Sequence, residues 1–146
     1  MDVIWAPWRM EYILGEKITD CIFCSFQKFA EEDEKNLVIH RGEKCFVMLN
    51  KYPYNNGHLM IIPYRHIADF TELNHDELLE IMTLTQKVLK VFTITMNPSG
   101  FNAGINLGKV AGAGVEDHVH LHVVPRWDGD TNFMPVIGST KVMPQH

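Results

Sequence analysis

The stretch HVHLHVVPR, residues 118–126, constrains this chain more than any other. Apolar and polar residues alternate one by one, which is the period of a half-buried strand. A strand over His118–Val124 is predicted. Side chains alternate faces along it, so His118, His120 and His122 share one face, ~6–7 Å apart per step. Val119, Leu121 and Val123 take the other face and can fill a core. Three imidazoles in a row have two natural uses, metal binding or nucleophilic and acid–base chemistry. A neutral imidazole suits phosphoryl transfer, because it attacks well and its phosphorus adduct leaves easily. The charge that develops must be met by donors. Candidates are the amides of the neighbouring loop, Gly112, Ala113 and Gly114, and a flanking protonated histidine.

The remaining pattern supplies partners for that strand. Cys45–Asn50 and His58–Ile62 read as strands joined by the breaker-rich KYPYNN turn, hence a hairpin. Phe101–Leu107 is a further strand. Between Asn74 and Asn97, Leu78, Met82, Leu89, Phe92 and Met96 follow a helical period, with Thr85 interrupting. Asn74 and Glu77 have the spacing of a capping box, and Pro98, Ser99 and Gly100 end the helix. A shorter helix follows Cys21 and carries Phe23, Phe26 and Phe29. Hairpins with one long helix give an α+β domain with a mainly antiparallel sheet. At 146 residues the chain is expected to be one domain, residues 1–146, with an aromatic segment at 1–20 (Trp5, Trp8) and an irregular tail at 128–146.

A net charge of −5 argues against a general nucleic-acid binder but leaves room for one phosphorylated ligand. The longest apolar run, Leu59–Pro63, is far short of a membrane span, and the start lacks signal-peptide organisation. A soluble cytoplasmic protein without a membrane partner is expected. Cys21 and Cys24 form a single C-x-x-C. A structural zinc would need two further ligands, and a redox pair or two buried thiols are the alternatives. Cys45 reads as core, His40, His75 and His146 as surface. GINLGKV has the wrong spacing for a P-loop.

The motif His-φ-His-φ-His-φ-φ, with φ apolar, resembles the histidine triad superfamily. The likeness extends to WAPWRMEYI, CIFC, LNKYPYNNGH, GFNAGINLG, AGAGVEDH and PRWDGDTNF, and so covers most of the chain. It is similar to the prokaryotic branch around diadenosine tetraphosphate phosphorylase. The resemblance implies a homodimer whose sheets join into one, and attack on the α-phosphorus of an adenine dinucleotide. It makes His120 the nucleophile, His122 a phosphate-binding residue, His118 an orienting one and His58 a support beneath them. It places Asn50 near the ribose, Asn106 at the phosphates and Trp127 at the substrate.

The resemblance also implies a zinc site. In several bacterial members the two extra ligands are the histidine of a Pro-x-x-His and the first motif histidine, here His66 and His118 beside Cys21 and Cys24. No organic cofactor is implied. One position departs from the hydrolases of the superfamily. They carry Gln or Ser four residues before the first motif histidine, and this chain has Gly114. The departure favours inorganic phosphate over water as acceptor. The expected activity is phosphorolysis of diadenosine tetraphosphate to ADP and ATP. The alternatives are a hydrolase of dinucleoside polyphosphates or nucleoside phosphoramidates, and a zinc-stabilised nucleotide-binding module without turnover.

Overall fold

The computed structural model describes residues 20–130. In chain order these form α1 (Ile22–Lys28), β1 (Val38–Arg41), β2 (Cys45–Leu49), β3 (Leu59–Pro63), α2 (His75–Thr95), β4 (Gly100–Ile105) and β5 (Leu121–Arg126). The strands make one sheet in the order β1-β2-β3-β5-β4, with every neighbour antiparallel. The aromatic segment up to residue 19 and the tail from residue 131 lie outside the described residues.

The expected hairpin is β2–β3, in register from Cys45 opposite Pro63 to Leu49 opposite Leu59. Both strands are buried on both faces, because each face of the sheet carries its own apolar layer. On one side Val47, Leu59, Ile61, Leu121 and Val123 pack against Ile81, Leu84, Val88 and Phe92 of α2. On the other, Phe46, Met48, Met60 and Ile62 pack around Phe23 of α1. The alternation of strand side chains divides the two sets.

Helix α2 starts as expected. The Asn74 side chain accepts from the Glu77 N–H at 3.0 Å, and the Glu77 carboxylate accepts from the Asn74 N–H at 2.9 Å. It ends at Met96, followed by Asn97 in the left-handed region (φ 47°) and then Pro98. The buried stripe differs from the expected one. Met82 is 56% exposed, and Ile81, Leu84, Thr85 and Val88 join Phe92 in the core. Thr85 is tolerated there because its hydroxyl donates to the Ile81 carbonyl.

Strand β1 has no counterpart in the sequence reading. Only Val38 of its four residues is buried, so alternation gives no signal. It is held by β2 and by Arg41, whose guanidinium bonds both carboxylate oxygens of Asp33.

The largest departure concerns the histidine motif. The strand begins at Leu121, not at His118. Its partner β3 ends at Pro63, which has no N–H to offer the ladder. The Pro63 carbonyl is taken by the His118 ring at 2.8 Å, and the Val119 N–H goes to Ile67 at 2.7 Å. Residues 118–120 are therefore fastened to the sheet end by side-chain and loop bonds rather than by strand pairing.

Candidate active site and metal centre

The three motif histidines and His58 are all buried. Met60 of β3 and Gly104 of β4 flank His122 in register. His120 and His122 stand with ring centroids 4.7 Å apart, and the His58 ring lies 5.1 Å from that of His122. The expected cluster of His58, His120 and His122 is thus assembled. His118 belongs to it through the backbone and turns its ring to a second cluster.

Hydrogen-bond partners fix how each imidazole holds its proton. A carbonyl only accepts, so the His120 Nδ1–H donates to the His118 carbonyl at 2.8 Å. This leaves Nε2 of His120 with its lone pair. The Tyr54 backbone N–H donates to His58 Nδ1 at 3.2 Å, so His58 carries its proton on Nε2. That proton points at Nδ1 of His122, 2.9 Å away, which places the His122 proton on Nε2. The pair therefore offers a nucleophile on His120 and a donor on His122.

Burial pushes the pKa of all three motif histidines down. For His122 burial, with His120 and His58 beside it, takes the value down to about 2. Desolvation thus favours the neutral rings over the expected flanking protonated histidine, and a neutral His122 still carries the N–H on its Nε2. The loop donors are corrected too. The Gly112 N–H is bound to Lys109 O at 3.0 Å and the Ala113 N–H to Gly108 O at 3.3 Å. These amides close the loop instead of facing a ligand. Gly114, exposed, continues the loop toward His118.

Asn50 bonds Met60 Sδ through its amide nitrogen at 3.7 Å, which puts its side chain on the face that carries His122. Asn106 is buried at the end of β4. Its NH2 donates to Gly112 O at 3.3 Å, and its Oδ1 has no partner among the described residues. The amide nitrogen carries a second N–H beside the one given to Gly112. Trp127 lies just past the end of β5, five residues and ~16 Å of strand beyond His122. It is not brought beside the imidazoles by the strand.

The four residues expected to hold a metal lie together in a cluster that could bind one. Cys21, Cys24, His66 and His118 present ligand atoms all within 4.8 Å of one another. Cys21 Sγ and His66 Nδ1 lie 3.3 Å and 3.3 Å from His118 Nδ1. Cys24 Sγ is 3.3 Å from His66 Nδ1 and 3.7 Å from His118 Nδ1. A tetrahedral zinc with these donors has ligand–ligand edges of about 3.3–3.8 Å, so the donor set fits the ion. The second sphere fits as well. His118 gives its Nε2–H to Pro63 and keeps Nδ1 free to coordinate. A pocket of about 410 Å³, bordered by Ser25, Lys28 and Asp117, opens over the cluster. Cys45 is not part of it and is fully buried, as expected.

Residues 31–129 match the HIT domain family. The chain belongs to that family. It is 42% identical to an AP-4-A phosphorylase of Mycobacterium tuberculosis, over 97% of this chain and 76% of the relative. It is 30% identical to an adenosine 5'-monophosphoramidase of Candida albicans, over 76% of this chain and 73% of the relative. Among solved structures, a Zn-bound histidine triad family protein of Mycobacterium smegmatis superposes with a TM-score of 0.65. It is 30% identical over 76% of this chain and 78% of its own. The five-stranded sheet and long helix are thus the HIT fold. The named relatives are enzymes of nucleotide chemistry, and one solved HIT protein binds zinc.

The sequence reading missed one contributor to the site. Phe23 is 1% exposed and sets its ring against both His118 and His120. Its position between Cys21 and Cys24 was the available signal.

Proposed function

We propose that this HIT protein transfers a nucleotidyl group from a dinucleoside polyphosphate through a phosphorus–nitrogen bond on His120. The observation that carries the reading is the paired proton placement of His120 and His122. A lone pair on one Nε2 stands beside an N–H on its neighbour's Nε2, in a site that keeps both rings neutral. His120 Nε2 attacks the α-phosphorus, and the bond to the bridging oxygen breaks. The leaving nucleoside polyphosphate keeps that electron pair. His122 donates to a phosphate oxygen as charge grows on it. An acceptor oxygen then attacks the same phosphorus, and the bond to His120 breaks. His58 holds His122 in the donating tautomer, and Asn50, on the face that carries His122, would meet the ribose.

Inorganic phosphate is the acceptor in this reading, so diadenosine tetraphosphate and phosphate yield ADP and ATP. Gly114 supports it, having no side chain to activate a water, and so does the name of the Mycobacterium tuberculosis relative. Cys21, Cys24, His66 and His118 would hold zinc. Its part is structural, tying the start of α1 to the residue before the nucleophilic segment. Among the described residues strand β4 bonds only β5, and its outer edge is where a second copy would extend the sheet into the proposed homodimer.

Product analysis with diadenosine tetraphosphate, with and without phosphate, tests the reading on wild type and His120→Ala. ADP and ATP formed only with phosphate, and only by wild type, is the expected result. AMP and ATP without phosphate means water is the acceptor. Turnover of a nucleoside phosphoramidate alone supports the second reading, which the Candida albicans relative favours. Nucleotide binding without turnover of either substrate means a binding module.

A further inference from the structure

Helix α1 does two things at once. Its N-cap Cys21 and its third residue Cys24 belong to the metal cluster, and between them Phe23 points into the site. The Phe23 ring lies 5.4 Å from that of His118, at an interplanar angle of 87°. It lies 5.0 Å from the His120 ring at 61°. It is 1% exposed, so its ring is packed within the protein.

His120 has one hydrogen bond that fixes its ring, from Nδ1 to the carbonyl of His118 two residues earlier. That bond is local, and residues 118–120 lack strand pairing. His118 is held from outside, by Pro63 and the cluster. His120 touches His122, whose ring is fixed by His58. The remaining aromatic wall on His120 among the described residues is Phe23. Edge contacts of this kind favour particular ring orientations and add to burial.

We propose that Phe23 is a positioning residue for the nucleotidyl-transfer reaction. Pinned by the two cysteines on either side, it braces the imidazoles of His118 and His120 so that Nε2 of His120 faces the substrate. The proposal rests on the reading of His120 as nucleophile. It predicts a loss in the chemical step that exceeds any change in substrate affinity, because the Phe23 ring packs against the His120 ring.

The test compares wild type with Phe23→Leu, which stays apolar and fills much of the same volume. Zinc content and the melting transition are measured on the same preparations. The expected result is a kcat for diadenosine tetraphosphate lowered about ten- to a hundredfold. KM stays within about twofold, with zinc retained. Long-range proton–nitrogen NMR spectra of the imidazoles give a readout that needs no substrate. His120 should pass from a single Nδ1–H tautomer to a mixture, while His58 and His122 keep theirs. Phe23→Met, unbranched and able to contact the rings through sulfur, should recover part of kcat. Unchanged kcat with an unchanged His120 tautomer overturns the proposal, as does a rise in KM alone. If Phe23→Leu loses zinc or fails to fold, Phe23→Met decides. A Met variant that is also unfolded, or fully active, makes Phe23 a core residue only. Should wild type turn over no dinucleotide, the reading of function falls, and the tautomer comparison still decides whether Phe23 positions His120.

Discussion

Nε2 of His58 stands 2.9 Å from Nδ1 of His122, and the Tyr54 N–H on the far side of His58 leaves that imidazole one way to hold its proton. The backbone of the β2–β3 turn thereby sets the tautomer of a histidine two strands away in sequence order. His58→Ala removes the donor and leaves a void at a site 1% exposed. Nucleotidyl transfer is expected to fall about ten- to a hundredfold, as for other outer partners of a functional imidazole. Steady-state kinetics should show the loss in kcat, with a smaller change in KM. A kcat equal to that of wild type would show that His122 keeps its donor without His58.

The metal cluster and the nucleophile share one residue. His118 places Nδ1 in the cluster, while its carbonyl holds His120. Binding to a site that exists only in the folded chain stabilises the fold. Purified protein is expected to hold about one zinc per chain. Chelation, or Cys24→Ser, should lower both zinc content and melting temperature, and zinc addition should restore wild type but not the variant. Elemental analysis with thermal melts checks this, and a melting curve indifferent to chelator would count against a structural metal.

Acid stability is expected to follow Glu77. Its carboxylate takes two bonds from Arg65, at 2.8 and 2.7 Å, and one from the Asn74 N–H. The Arg65 bond, followed by the cap, holds its pKa below the usual carboxylate value, against the opposing effect of burial. A carboxyl lowered on folding contributes stability above its unfolded pKa, and that contribution is lost as pH falls through the folded value. Glu77→Gln should therefore melt below wild type near neutral pH, and the gap should close on acidification below about pH 4. Asn74→Ala, which removes the other half of the box, should cost about 1 kcal/mol. Melts from pH 3 to 8 test both.

Glu80 fastens the same helix to the sheet. Its carboxylate accepts from the N–H groups of Glu43, Lys44 and Cys45 at 2.8, 2.5 and 2.7 Å. A Cβ on Gly42 would meet Glu80 Oε1 at 2.6 Å and the Cys45 carbonyl at 2.9 Å. The carbonyl belongs to the strand and cannot swing away. Gly42→Ala is expected to destabilise the protein by about 1–3 kcal/mol, measured by denaturant unfolding, with zinc content unchanged.

Much of this was legible in the chain because local signals agreed with tertiary ones. The β2–β3 hairpin, the capping box at Asn74 and the HIT motif each follow from neighbouring residues. What was not legible depended on partners distant in sequence. The motif looks like a strand from His118 onward, but Pro63 has no N–H for it to pair with. Met82 fits the helical period yet lies outside the stripe that meets β2 and β3. Amides at Gly112 and Ala113 look available until the loop closes on Lys109 and Gly108. Even the charge of His122 depends on burial by elements far from it in sequence.

Gly114 bears most directly on the choice between phosphate and water. It is exposed, four residues before His118, and outside the left-handed region that would reserve the position for glycine. A side chain can therefore be added there without backbone strain. Glutamine would bring an amide able to hold a water or a leaving oxygen, which the wild-type loop cannot do through a side chain. Gly114→Gln is expected to form AMP in the absence of phosphate, at the expense of the phosphate-dependent yield of ADP. His120→Ala in the same background should abolish both products, since both pass through one phosphorus–nitrogen bond. Chromatography of products at graded phosphate concentrations reads the partition directly. An unchanged partition in Gly114→Gln would mean that the acceptor is selected elsewhere in the site.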